Sequence, residues 1–259
     1  MARDSLKEKL QAGGTALGVI AFDPYSVDVA AHTGFDWIFI DQMFTALDWT
    51  ATESLIRCCE ANGITPVVRV QSNPWLGYDH RISVDVTRLL SIGTKYIIVS
   101  NSGKREIEEC LVAASNWHKR FWVHTSVKAA PAEGEDFPGV QIIPQPETAQ
   151  ALAELPETLA LPGINLAFIG TTDPSMALSK SDTPNFYSEE LWKFVDGIAS
   201  SNNVVLGANT SWFKSMDDMV QRVTHMSRHG VRMPLLQTSY YFFQVAAEKH
   251  LREIRAALA

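Results

Sequence analysis

Short apolar runs bounded by Gly, Pro and Asp alternate with helix-patterned stretches from one end of this chain to the other. The runs fall at residues 16–22, 36–41, 66–70 and 96–99, then start again at 140 and at 165, and end at 204–209 and 234–237. Apolar stretches this short read as buried strands. Helical periodicity fills the gaps at 24–32, 50–62, 85–92, 105–117, 148–162, 188–200, 215–229 and 241–258. Thr50 with Glu53 three residues on reads as a capping box closed by Gly63, and Ser102 and Ser215 read as N-caps. Eight strands alternating with eight helices, behind an extra N-terminal helix at 4–12, predict a single (β/α)8 TIM barrel over residues 1–259. Residues 121–125 could form a further strand; they are assigned instead to a long connection that continues through the acidic segment 128–139.

One unit carries most of the chemistry. Its first strand begins at Val140 and runs through Gln145 and Pro146 into Glu147; its second begins at Asn165 and runs through Gly170, Thr171 and Thr172 into Asp173. A helix patterned on Ala149, Leu152, Leu155 and Leu159 lies between them. A right-handed crossover makes the two strands parallel neighbours, so Glu147 and Asp173 emerge side by side at the same end. Two readings fit. The pair seats a hard divalent cation completed by waters or substrate oxygens, or the loop residues Thr148 and Asp173 cap helices.

Composition removes several function classes. With 259 residues, a formal charge of −7 and no Lys/Arg cluster, the chain offers no nucleic-acid surface. No apolar run approaches a membrane span, and the first residues do not read as a signal peptide. Cys58, Cys59 and Cys110 form no Cys-x-x-Cys pair, and an odd count fits core thiols in a reducing cytoplasm.

In a barrel the site lies at the C-terminal strand ends. Those ends present Asp41, Arg69, Asn101, Glu147, Asp173, Asn209 and Ser239. Arg69 follows Val67 and Val68, and a cation buried there needs an anionic partner. That partner is a substrate carboxylate or carbonyl, or else Asp41 or Glu147.

These residues together resemble the HpcH/HpaI aldolase family, the metal-dependent class II pyruvate aldolases, which also contains macrophomate synthase. The likeness starts at Leu17-Gly18-Val19 and at Ala31 to Trp37, and runs on to Ile40-Asp41. It continues through Pro66 to Arg69 and Gln145 to Thr148, and is closest over Phe168 to Ser175, near the family's Phe-Ile-Gly-Pro-x-Asp-Leu-Ser. The resemblance implies that Glu147 and Asp173 hold magnesium, manganese or cobalt, and that Arg69 stabilises a pyruvate-type enolate. It further implies that Gln145 supports the metal shell and that the amides of Gly170, Thr171, Thr172 and Asp173 receive the carboxylate of a 2-oxo acid. A hexamer built as a trimer of dimers, with the last helix packed on a neighbour, is implied as well.

The chain departs from the family after Asp41. Where the family has Asp-Gly-Glu-His, this chain has Asp41-Gln42-Met43-Phe44, so the His that pairs with the Asp as acid and base is replaced by Phe44. His124 is a candidate substitute base, with a solvated surface His as the alternative. Tyr240 and Tyr241 are further candidates, with packing as theirs. The expected activity is a metal-dependent carbon–carbon lyase with altered base machinery. Its alternatives are a bond-forming enzyme like macrophomate synthase, with Phe44 lining the acceptor pocket, and a non-catalytic binding relative.

Overall fold

The computed structural model describes residues 5–70, 82–121, 140–201, 204–211 and 213–258. A short helix α1 (Ser5–Gln11) precedes β1 (Gly18–Ile20), α2 (Pro24–Thr33), β2 (Trp37–Asp41), α3 (Trp49–Ala61), β3 (Thr65–Arg69), α4 (Ile82–Ser91) and β4 (Tyr96–Ser100). Then come α5 (Lys104–Phe121), β5 (Gln141–Gln145), α6 (Ala149–Leu159), β6 (Leu166–Ile169), α7 (Asp173–Ser179) and α8 (Glu189–Ser201). The chain ends with β7 (Val205–Asn209), α9 (Met216–Arg228), β8 (Val231–Thr238) and α10 (Ser239–Leu258). The strands form one parallel sheet in the order β5-β4-β3-β2-β1-β8-β7-β6. Its two end strands lie side by side, which brings the sheet to a nearly closed (β/α)8 barrel as the alternation predicts.

Period-two alternation decides which side chains face the barrel interior. Trp37, Phe39, Val67, Tyr96, Ile98, Ile143, Leu166, Phe168, Met233 and Leu235 fill it, and Leu6 and Leu10 of α1 join the same cluster. The neighbours between them, such as Ile38, Ile40, Val68, Ile97, Ile142 and Ala167, pack outward with the surrounding helices. Three interior rings lean on one another: Phe39 and Phe168 are 6.0 Å apart and Trp37 is 6.4 Å from each. They need space that only glycine leaves. A Cβ on Gly18 would come within 2.1 Å of the Trp37 ring, and one on Gly207 within 2.6 Å of Phe168.

Local signals explain most of the boundaries. Asp23 caps α2 by accepting from the Ser26 amide at 2.9 Å, Pro24 opens that helix and Gly34 closes it at φ 95°. Thr148 and Ser215 cap α6 and α9. Two expected caps are not used. Helix α3 is capped by Asp48, which accepts from Ala51 N at 2.7 Å, so Thr50 sits in the first turn and Glu53 pairs with Arg57. The Ser102 hydroxyl donates back to Val99 O, while Glu106 takes the Gly103 amide at the start of α5. Helix α5 runs on to Phe121, so the candidate strand at 121–125 begins inside a helix, and its remainder lies outside the described residues. Among the described residues no helix is long and apolar enough to cross a membrane.

Candidate active site

The same alternation that fills the interior with apolar groups delivers polar ones at its C-terminal rim. Two residues past Phe39 comes Asp41, and two past Val67 comes Arg69. Ser100 follows Ile98, and Gln145 and then Glu147 follow Ile143. Strand register places Asp41 opposite Arg69 and Ser100 opposite Gln145.

Asp41 and Arg69 form a buried two-point pair. Arg69 Nε donates to Asp41 Oδ1 at 3.0 Å and Nη2 donates to Oδ2 at 2.6 Å. The residues are 6% and 8% exposed, so each charge depends on the other for compensation. Asp41 Oδ1 also accepts the amides of Met43 at 2.9 Å and Phe44 at 3.4 Å. The guanidinium lies 5.2 Å from the Phe39 ring centroid and 4.9 Å from that of Phe44, so two aromatic faces flank it. Of the open readings for Arg69, pairing with Asp41 is therefore realised. Among the described residues Nη1 takes no protein partner.

Glu147 and Asp173 line one pocket of about 610 Å³ together with Asn101, Thr148 and, on and just past α7, Met176, Lys180 and Asp182. Among the described residues no hydrogen-bond donor reaches the Glu147 carboxylate. Burial pushes its pKa up to about 7 against the pull of Arg69, and the charges of Asp173 and Asp41 add to the rise. Burial also raises the pKa of Asp173, against its own backbone amide and Arg69. Among the described residues no Lys, Arg or His forms an ion pair with either carboxylate, and Arg69 acts on both without hydrogen-bonding either. Among the described residues no third His, Cys, Asp or Glu completes a metal-binding cluster with them.

Gln145 is held by a residue that its sequence context does not advertise: Ser100 Oγ donates to Gln145 Oε1 at 2.7 Å. This turns the amide nitrogen toward Gly170, where a Cβ would stand 3.6 Å from Gln145 Nε2 and 3.5 Å from Glu147 Oε1. The turn after β6 is tied to β7. The Thr171 amide donates to Asn209 Oδ1 at 2.9 Å, and the Thr171 hydroxyl bonds Asn209 and, closely, Ser211. Thr172 joins the same network through Ser211 at 3.0 Å. Thr171 is thus a structural tie of this turn.

The structure gathers Asp41, Arg69, Phe44, Gln145, Glu147, Gly170, Thr171, Thr172 and Asp173 at one rim. His124 lies outside the described residues. Tyr240 and Tyr241 stand just past β8 and both make packing contacts: Tyr240 packs on Phe22 and donates to Asp23 at 2.7 Å, while Tyr241 packs edge-on against Phe213. Ser100 and Ser211 are the site residues that strand-end reading misses.

No protein-family model matches the chain. Similar proteins include 2-dehydro-3,6-dideoxy-6-sulfogluconate aldolase of Pseudomonas putida, 23% identical over 184 residues, covering 68% of this chain and 69% of that protein. Pyruvate aldolase of Rhizobium etli is 26% identical over 192 residues, covering 69% and 71%. Among solved structures, an HpcH/HpaI aldolase/citrate lyase family protein from Burkholderia cenocepacia superposes with a TM-score of 0.74 at 19% identity, covering 98% of this chain and 100% of that one. Macrophomate synthase superposes with a TM-score of 0.70 at 17% identity, covering 99% and 89%. The relatives matched by sequence are aldolases, and the fold is that of the HpcH/HpaI aldolase family, as the motifs along the strand ends anticipate.

Proposed function

We propose that this protein is a divalent-cation-dependent carbon–carbon lyase that acts on a 2-oxo acid through a pyruvate-type enolate. The observation that carries the proposal is the convergence of Glu147 and Asp173 on one pocket, neither ion-paired among the described residues, beside an arginine already fixed by Asp41. The aldolase names of the relatives support the same class of chemistry.

The donor set fits a hard cation such as magnesium, manganese or cobalt. Glu147 and Asp173 would offer it carboxylate oxygens, with the remaining ligands left to water or a 2-oxo acid. When bound, such an ion polarises the 2-oxo carbonyl as a Lewis acid. The protein supplies the rest. Arg69, held rigid by Asp41 and by two rings, directs Nη1 at the oxygen that gains negative charge as the enolate forms. Gln145, turned by Ser100, offers its amide nitrogen beside Gly170. The Thr171 amide is occupied by Asn209, and the Thr172 amide of the same turn would receive the substrate carboxylate.

Proton transfer is the weak part of this site. Phe44 stands where the resemblance implies a His, and Asp41 is committed to Arg69 and to two backbone amides. Aldol cleavage needs a base for the substrate hydroxyl. Loss of carbon dioxide from an oxaloacetate-like acid does not, because the breaking bond leaves its electrons in the enolate without any proton being taken. Decarboxylation is therefore the favoured reaction of this site.

The closing helix supports assembly into a homo-oligomer, a hexamer in the reading that the resemblance implies. Helix α10 buries none of its residues, and Phe243, Leu251, Ile254 and Leu258 are exposed along it. The three free thiols, two of them buried, fit a reducing cytoplasm. Pyruvate release from oxaloacetate and from 4-hydroxy-2-oxo acids, followed with and without magnesium, manganese or cobalt, tests the function. Turnover should appear only with a cation. Turnover undiminished by a chelator, or no pyruvate from any of these acids, contradicts the proposal.

A further inference from the structure

Ser211 holds the turn before Asp173 from the neighbouring strand, and it does so with a backbone that serine rarely adopts. It stands two residues past the end of β7 with φ 51°, in the left-handed region. Thr210, just before it, is fixed at every polar atom. Its amide donates to Leu235 O at 3.0 Å, its hydroxyl donates to Leu236 O, and its carbonyl accepts from Arg222 Nη1 at 3.0 Å. Arg222 is itself 8% exposed, paired with Asp218 and set 4.6 Å from the Phe186 ring centroid. Strand β8 and helix α9 thus grip the chain behind Ser211, and its hydroxyl meets the turn after β6. An unfavourable backbone held this firmly beside a candidate site calls for a function.

The turn needs such a hold. The motif that residues 168–175 resemble has proline where this chain has Thr171. A proline ring would fix φ and carry no N–H, whereas threonine leaves the dihedral free to vary and an amide to satisfy. Here that amide donates to Asn209 Oδ1 at 2.9 Å and the Thr171 hydroxyl donates to Asn209 O at 3.0 Å. Ser211 Oγ bonds the Thr171 hydroxyl and, at 3.0 Å, the Thr172 hydroxyl. One direction uses all three hydroxyl protons: Thr172 donates to Ser211, Ser211 to Thr171, and Thr171 to the Asn209 carbonyl. From the α7 side, Ser175 Oγ donates to Thr172 O at 2.7 Å. Among the described residues, Ser211 alone bonds the side chains of both Thr171 and Thr172.

We propose that Ser211 is a positioning residue for substrate binding: its hydroxyl braces Thr171 and Thr172, and the braced turn keeps the Thr172 amide in place for the carboxylate of the 2-oxo acid. The inference rests on the 2-oxo-acid reading of the site. It adds that β7 supplies, through Ser211, the stiffness that a proline in the turn would otherwise give.

The Kd of pyruvate is measured by calorimetry at saturating magnesium on the wild type, on Ser211→Gly, on Thr171→Val/Thr172→Val, and on all three changes together. Glycine accepts the left-handed backbone, so Ser211→Gly removes the hydroxyl without straining the chain. Valine keeps the outline of threonine and loses only its hydroxyl. Ser211→Gly should weaken pyruvate about fivefold to tenfold, the worth of one hydrogen bond. It should raise the KM of oxaloacetate by a like factor and leave kcat within about threefold, the signature of lost binding and intact chemistry. On the double-valine background Ser211→Gly should change the Kd by less than about twofold, because its hydroxyl has nothing left to hold. A serine that only stabilises the fold lowers Tm and leaves the pyruvate Kd where it was. Pyruvate bound equally by the wild type and Ser211→Gly overturns the inference and leaves the 2-oxo-acid reading standing. So does a loss that is undiminished on the double-valine background, since Ser211 would then act through some other contact. If the wild type does not bind pyruvate, the inference and the reading it rests on are both overturned.

Discussion

Replacing Phe44 by His tests whether proton transfer is what this site lacks. The Phe44 ring is 67% exposed at the mouth, 4.9 Å from the Arg69 guanidinium, and its amide points at Asp41. An imidazole on that backbone lies next to the carboxylate that would orient it. A positioned general base contributes about two to four orders of magnitude. Asp41 already serves Arg69 through both oxygens, so it cannot be given over wholly to the new ring, and the gain belongs at the lower end, about 100-fold in kcat/KM for cleavage of a 4-hydroxy-2-oxo acid. The cost is the stacking on Arg69. At an exposed position this is worth about 0.5–1 kcal/mol, so oxaloacetate decarboxylation should fall by no more than about fivefold. Both rates are measured on the same preparation. A wild type that cleaves simple aldols as fast as it decarboxylates, with no gain in Phe44→His, refutes the reasoning. If that cleavage disappears in His124→Ala, the base has moved to His124.

Arg69→Lys should lower kcat by about two to three orders of magnitude with a smaller change in KM, because an ammonium cannot keep both Asp41 contacts and still reach the developing charge; unchanged kcat in a folded variant makes Arg69 structural. The metal-free protein should lose stability as pH rises from about 5 to 8. Burial raises the folded pKa of Glu147 from 4.5 to about 7, so the native state holds a proton that the unfolded state has released, and stability falls across that interval by roughly 3 kcal/mol at most. Magnesium should restore Tm at pH 8 far more than at pH 5, and equal effects at both pH values would count against the site. Sedimentation at micromolar concentration should show an oligomer that charged substitutions at Phe243 and Ile254 weaken; a monomeric wild type removes the assembly reading.

How much of this was legible in the sequence depended on the kind of signal. The barrel was, because eight buried strands with helices between them leave few alternatives. The position of Asp41, Arg69, Glu147 and Asp173 at strand ends was, because the βα alternation sets it; their roles were not, because each residue also had a structural reading. Ser100 was not: a serine after Ile98 and Val99 carries no charge, and its importance comes from the register that sets it opposite Gln145. Ser211 was not, since its role depends on a left-handed backbone, φ 51°, that brings it to a turn far back in the chain. Thr50 reads as the cap of α3, but the Asp48 carboxylate two residues earlier takes the position. The change at Phe44 was visible in the sequence, but not that its ring would cover the arginine.

The central claim is that Glu147 and Asp173 together hold a divalent cation, and manganese binding followed by electron paramagnetic resonance tests it most directly. The wild type should take up one manganese ion per chain in competition with magnesium. Glu147→Gln and Asp173→Asn should each abolish that uptake while the far-ultraviolet circular dichroism stays that of the folded barrel, because both side chains stand at the rim and outside the packed interior. Stoichiometric manganese binding that survives in both folded variants would contradict the account.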